Sequence, residues 1–283
     1  MTAMDMAQMT VPRLRLHDGV EIPQLGFGVS QVPPEETQRT VELALAAGYR
    51  HIDTAAAYGN EREVGAAIAS SGLAREDYFI ATKLWNSEQG HDSTLIAFEE
   101  SLERLGLDHV DLYLIHWPVP PEDRFVDTWR AFERIYEEEA ARTIGVANFR
   151  LEDLERLQVE TDTRPTVNQV ELHPGLQQAE LRAWHDEHRI ATEAWSPLAQ
   201  GDLLDDETIV GIADRHDKTP AQAILRWHLQ LGNVVIPKSA TPERIRENID
   251  LFDFELADEE MAAIGELESN SRIGPQPATF GAL

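Results

Sequence analysis

The chain contains no cysteine. That removes disulfides, thiolate nucleophiles and cysteine-ligated zinc together. Lysine is nearly missing as well. Lys83, Lys218 and Lys238 are the only three, so 24 basic residues less three leaves 21 arginines. No apolar run approaches the roughly 18 residues that a membrane helix needs. Positive charge is scarce overall, and 24 basic against 51 acidic residues gives a formal charge of −27. Such a balance argues against a nucleic-acid binder, because phosphate contacts need clustered Lys and Arg. The acidic excess has two readings, an ordinary acidic surface and adaptation to high salt, and composition alone does not separate them.

What is present is 283 residues with 42% hydrophobic content, enough to bury a core in one large domain or two small ones. The start, MTAMDMAQMT, has neither a basic n-region nor an apolar h-region, so it does not read as a secretory signal. Residues 1–10 read as a disordered leader, and the cytoplasm is the default location. Residues 269–283 lack helical periodicity and read as a tail lying on the body.

Between these ends the pattern alternates. A hairpin turns at His17-Asp18-Gly19. Counting a first strand at Leu25–Val29, strands follow at Arg50–Asp53, Tyr78–Lys83, Val110–His116, Arg142–Ala147, Thr166–Val170, Ile190–Ala194 and Val234–Ile236. Helices are expected at Glu35–Ala47, Asn60–Ser71, Ser93–Leu105, Phe125–Glu139, Leu151–Val159, Gln177–Glu187, Thr219–Leu231 and Pro242–Asp250, several closed by a glycine. Alternating strand and helix implies parallel strands joined by crossovers. Eight such units in about 250 residues fit a (β/α)₈ TIM barrel with an N-terminal β-hairpin and a C-terminal tail. A doubly wound sheet is the competitor, but no linker marks the second domain it would need. The expectation is a single barrel domain over 1–283.

Three apolar strands finish on an ionisable residue: Asp53, Lys83 and His116. In a parallel barrel all C-terminal strand ends share one face, where this fold builds its sites. Tyr58 follows Asp53 in the loop on that face. Taken singly, each has an ordinary explanation as a cap, a solvated end or a packing residue. Four at one mouth are costly to bury unless they are paired. Together they make a proton donor. A free tyrosine has a pKa of about 10, and an adjacent lysine cation is expected to lower it. Asp53 would hold Lys83 charged, and His116 could hydrogen-bond a carbonyl oxygen. The set has no good nucleophile and no metal cluster, so the chemistry needs a hydride-carrying cofactor.

Candidates for holding one lie further along. After the eighth strand, VIPKSATPERIREN places Lys238, Ser239 and Arg244 around the start of a helix that Thr241 would cap, which is an anion site. Asn148 follows the fifth strand and Gln169 ends the sixth, both amides suited to a carboxamide. Trp195, after the seventh strand, could stack on a flat ring. Other motifs fail. Gly26-Phe27-Gly28 begins like a dinucleotide fingerprint, but Gln31 stands at the third glycine and no helix opens there. His185-Asp186-Glu187-His188 has ligand-like spacing, yet it lies on a polar helix of an acidic chain and reads as solvated surface.

GYRHIDTAAAYGNEREVG over residues 48–65, the stretch around Lys83, DLYLIHWP and IPKSATPERIREN resemble the aldo-keto reductase family, in the short bacterial type that includes 2,5-diketo-gluconate reductases. The resemblance runs from about Val11 to Ile264. It implies a TIM barrel, NADPH across its mouth, and reduction of aldehyde or ketone carbonyls to alcohols by a monomer. It assigns a catalytic tetrad to Asp53, Tyr58, Lys83 and His116. It assigns nicotinamide contacts to Asn148, Gln169 and Trp195, with Ser196 and Leu198 in the loop that follows. Contacts to the adenosine 2′-phosphate fall on Lys238, Ser239 and Arg244, with Glu247 and Asn248 near the adenine. Substrate would meet Ser30, Trp85, Asn86 and Trp117, and the tail around Phe280 could cover the pocket. Ala147 departs from the family's usual serine and removes a hydroxyl contact to the carboxamide. Ser30 stands where relatives often carry an aromatic residue, so substrate preference does not transfer. The segment from Trp117 to Thr128 is short, which suggests an open pocket. The alternative is a catalytically weak cofactor-binding regulatory or structural protein on the same fold, which a damaged tetrad would favour. A barrel lyase or isomerase would leave the site after the eighth strand unexplained.

Overall fold

A computed structural model describes residues 11–281. The leader expected over 1–10 lies outside them. Eight parallel strands run β3 (Phe27–Gly28), β4 (His51–Asp53), β5 (Phe79–Leu84), β6 (Val110–Ile115), β7 (Ala141–Ala147), β8 (Val167–Glu171), β9 (Ala191–Trp195) and β10 (Val234–Val235). Their order in the sheet is their order in the chain. A parallel bridge from Leu25 to Val235 closes the ring, with Gly26 N–H donating to the Val235 carbonyl at 2.8 Å.

The outer layer contains α1 (Pro34–Ala47), α2 (Glu61–Ser71), α3 (His91–Leu105), α4 (Phe125–Glu137), α5 (Leu151–Glu160), α6 (Ala179–His188), α7 (Glu207–Arg215), α8 (Pro220–Gln230), α9 (Pro242–Glu247) and α10 (Asp258–Gly265). Two of these, α7 and α10, were not expected from the sequence. For α7 the signal was present: Asp206 caps it by accepting from Thr208 and Ile209 N–H, and Ile209, Ile212 and Ala213 make its buried stripe. The last expected helix stops at Glu247 rather than Asp250.

Side chains sort by strand parity. Outward residues such as Ile80, Tyr113, Ile144 and Val170 pack against the helices in the main core. Inward residues near the strand starts, including Phe79, Leu112, Val167 and Val234, form a second cluster with Leu16 and Ile22. Leu16 follows β1 (Arg13–Arg15), and Ile22 is central in β2 (Glu21–Pro23), so the hairpin plugs the barrel floor with apolar side chains. The floor is therefore dry, and polar side chains collect towards the mouth. Gly65 lets α2 approach α3 closely, since a Cβ there would overlap the Leu105 carbonyl. The tail crosses the mouth: Ile273 and Gly274 N–H donate to Glu171 carboxylate oxygens at 2.6 and 2.9 Å, and Arg272 joins them at 3.3 Å.

Candidate active site

The strand ends fall close to their expected places, with shifts of one or two residues that matter. Asp53 ends β4. Lys83 is one residue short of the end of β5, and His116 is one past β6. Gln169 lies within β8, which runs on to Glu171, so its amide sits deeper in the barrel than a strand end would. Trp195 is the last residue of β9 rather than beyond it.

The four residues of the mouth converge. Lys83, fully buried, donates to Asp53 Oδ1 at 2.6 Å and to the Thr54 carbonyl at 2.8 Å. Its Nζ lies 5.2 Å from the centre of the Tyr58 ring. The Tyr58 and His116 rings meet edge to face at 5.7 Å. Burial by itself lowers the Lys83 pKa, but the Asp53 carboxylate, joined by the Tyr58 phenolate where that forms, outweighs it and holds the pKa above the ordinary lysine value. The ammonium is therefore permanent.

For Tyr58 the expected sign does not hold. Burial raises its pKa above the ordinary phenol value, outweighing the downward pull of Lys83 and of Ser30. Taking a phenolate out of water costs more here than one neighbouring cation returns. Tyr58 is accordingly fully protonated near neutrality. His116 is neutral, because burial and the repulsion of Lys83 hold its pKa well below that of a free imidazole. Its Nδ1 is buried without a partner. A proton on Nε2 leaves that buried nitrogen as an acceptor and gives the groove an N–H donor.

A groove of about 940 Å³ runs from these residues across the mouth. Ser30, Trp117, Asn148, Gln169, Trp195, Ser196 and Leu198 line it near the tetrad. Lys238, Ser239, Arg244, Glu247 and Asn248 line it at the far end. Trp85 and Asn86 do not border the groove; the tail lies over them. Phe280 packs on Trp117 at 4.4 Å and edge-on to Trp85 at 6.2 Å, and Gly281 lies against Asn86.

The amides are held from inside the protein. Asn148 Nδ2 donates to the His116 carbonyl at 2.9 Å, and its Oδ1 accepts from Trp195 Nε1 at 2.8 Å. Asn148 thus fixes the indole, at a positive φ of 63°. Gln169 Nε2 donates to Asp53 Oδ2 and Glu193 Oε2, both at 2.9 Å. Only the NH₂ end can serve two carboxyl oxygens, so Oε1 is left for a ligand's N–H. At the far end Lys238 and Arg244 are exposed, and neither is within ion-pair distance of a carboxylate among the described residues. Thr241 does not cap α9 through its side chain; Ser239 Oγ takes the Thr241 N–H at 3.1 Å instead.

One reading from sequence needs amendment, and two residues were missed. His185 is not solvated: it is fully buried and bonds Thr192 at 2.9 Å and Asn168 at 3.0 Å. His188 is half-buried and stacks on Trp184 at 3.8 Å, while Asp186 and Glu187 are exposed as expected. Glu193 and His51 were missed, although both are fully buried beneath the tetrad. Their signal was parity. Glu193 stands two residues before Trp195, and His51 two before Asp53, so each points inward with its neighbour.

The Aldo/keto reductase family profile matches residues 24–269. An aldo-keto reductase of Mycobacterium sp. (strain JLS) is 60% identical over 272 residues, 96% of this chain and 99% of that protein. A glyoxal reductase of Bacillus subtilis (strain 168) is 52% identical, over 93% of this chain and 95% of its own length. A variant of Gox0644 crystallised with NADPH superposes with a TM-score of 0.92 at 45% identity, covering 95% of this chain and 98% of that one. Motifs, barrel and converging mouth residues therefore have one common explanation, and the chain belongs to the aldo/keto reductase family.

Proposed function

We propose that this protein is an NADPH-dependent reductase of aldehyde or ketone carbonyls. The observation that carries the reading is the meeting of a protonated phenol, a permanent ammonium and a neutral imidazole at one end of a long groove, with two cations that have no carboxylate partner among the described residues at the other.

The groove suits the cofactor. Lys238 and Arg244, with Ser239, would take its 2′-phosphate. Glu247 and Asn248 lie beside them for the adenine, and Ser196 and Leu198 border the span between. Trp195, held by Asn148, would stack on the nicotinamide, and the free Gln169 Oε1 would accept from the carboxamide. Bound there, NADPH supplies the hydride for the carbonyl carbon.

The chain's own residues handle the oxygen. His116 Nε2–H orients the carbonyl. Tyr58 gives its proton to that oxygen as negative charge develops on it. A raised phenol pKa still permits this step, because an alkoxide is far more basic than a phenolate, although each further rise slows the transfer. Lys83 stabilises the phenolate left behind, and Asp53 keeps Lys83 in place. Ser30 and Trp117 border the substrate end, with Trp85 and Asn86 behind the tail. The site is complete within one chain, which supports a monomer acting on small carbonyl compounds. Dependence on NADPH fits the cytoplasm, where reduced nicotinamide is maintained. A non-catalytic relative would call for a damaged tetrad, and all four residues are present and converge.

Tyr58→Phe tests the reading. The change should lower turnover by about 10²–10⁴-fold while NADPH still quenches protein fluorescence at nearly the same concentration. Full turnover in that variant would reject Tyr58 as the acid.

A further inference from the structure

Below the tetrad lies a second polar layer that carbonyl reduction, as described, does not use. Glu193 and His51 project inward from β9 and β4, and both are completely buried. Glu193 Oε2 accepts from Gln169 Nε2 at 2.9 Å. The same nitrogen donates to Asp53 Oδ2 at 2.9 Å, and Asp53 Oδ1 holds Lys83 at 2.6 Å. The other oxygen, Glu193 Oε1, faces His51 Nε2 at 3.6 Å, and neither atom has a hydrogen-bond partner. A small side-chain movement closes that gap. Space for the imidazole exists because residue 26 is glycine: a Cβ there would sit 2.6 Å from His51 Nδ1.

The charges around Glu193 can be counted element by element. β4 presents His51 and Asp53, β5 presents Lys83, and β8 presents Gln169. β10 pairs Val234 with Glu193 and adds no charge. Asp111 acts on His51 from further away. Lys83 and Asp53 cancel, so an ionised Glu193 would be an uncompensated anion in a dry interior. A proton on Oε1 removes that charge and aims a donor at the unpartnered His51 nitrogen. Burial works on both groups towards this state. With help from the Asp53 charge it pushes Glu193 up to about 8, and it pushes His51 down to about 4 against the pull of Asp53.

We propose that Glu193 is a positioning residue of the active site: as a neutral acid directed at His51, it fixes the Gln169 amide and leaves Asp53 the single negative charge beside Lys83. Its effect on turnover rests on the reading of Tyr58 as proton donor. Loss of the Glu193 proton sets a second anion against the Lys83–Asp53 pair. That anion raises the Tyr58 pKa further and weakens it as an acid.

The test compares the pH dependence of kcat, at saturating NADPH and a small aldehyde, for the unaltered enzyme and Glu193→Gln. One pH unit above a midpoint of about 8 leaves about a tenth of the acid protonated, so kcat of the unaltered enzyme should fall about tenfold from pH 7 to pH 9. Glu193→Gln keeps the shape but cannot ionise. It should lower kcat a few-fold at pH 7 and abolish the alkaline fall. Infrared difference spectra of the unaltered enzyme should show a protonated carboxyl band at pH 7 that titrates away by pH 9 and is missing from the variant. The same alkaline fall in both proteins, or no such band in the unaltered enzyme, overturns the proposal. The infrared measurement is independent of turnover. If Tyr58→Phe stayed active, the acid assignment would fail while the Glu193 band still reported on this layer.

Discussion

Arg244 and Lys238 illustrate how single residues earn a role from what does not surround them. Both stand exposed at the far end of the groove, in a chain with 51 acidic residues, yet neither has a carboxylate partner among those described. Their charge is available to an anionic group, whereas Lys218, the remaining lysine, is tied to Asp250 at 3.0 Å and Asp253 at 2.7 Å. Replacing Lys238 and Arg244 together by alanine should weaken NADPH binding by at least about tenfold, given roughly 1.5–3 kcal/mol for each hydrogen bond to a charged group. NADH binding, measured by the same fluorescence titration, should change little. An unaltered ratio between the two cofactors would place the phosphate elsewhere. At this scale Asp53, Lys83 and His116 could be read from strand ends, and Tyr58 from the loop that follows Asp53. The sign of the Tyr58 shift could not, because it depends on how much water the finished barrel removes from the phenol. Gln169 was found but misplaced by two positions, and so its two carboxyl partners were not anticipated.

At the scale of elements, glycines and caps explain which helices were foreseen. Gly48, Gly72 and Gly106 each take a left-handed conformation at a helix end, and those three helices match expectation to within two residues. α7 and α10 were overlooked despite Asp206 at the head of α7 and Gly265 at the end of α10. Packing between elements adds constraints that a one-dimensional pattern does not contain. Gly65 is helical and looks replaceable in isolation, since alanine is the better helix former. In the fold its Cα faces the Leu105 backbone, which cannot rotate away. Gly65→Ala should therefore destabilise the protein by about 1–3 kcal/mol through overpacking, read as a lower urea midpoint, instead of stabilising it. Unchanged or increased stability would mean that α2 and α3 can separate freely. The tail is a similar case. Its sequence suggested a segment lying on the body, but its path over the mouth is set by Glu171, a carboxylate at the end of a distant strand.

For the molecule as a whole, a formal charge of −27 makes self-repulsion a general term in stability, while the phosphate contact proposed for the far end of the groove depends on attraction. Salt screens both, with a Debye length of about 10 Å at 0.1 M falling to about 3 Å at 1 M. Raising NaCl from low concentration to about 1 M should therefore raise the melting temperature and at the same time weaken NADPH binding. A melting temperature indifferent to salt would mean that the acidic surface is too dispersed to matter. The order of the strands, most of the helices and the four groups at the mouth were fixed locally, since strand periodicity and the residues at and just after each strand's end need only neighbours in the chain to be recognised. Which side chains lie in contact across the barrel was decided by its closure. Only there do β4 and β5 on one side and β8 and β9 on the other bring Asp53, Lys83, Gln169 and Glu193 together, with 116 residues between Asp53 and its partner Gln169, in an interior where the loss of water sets which of them carries a charge.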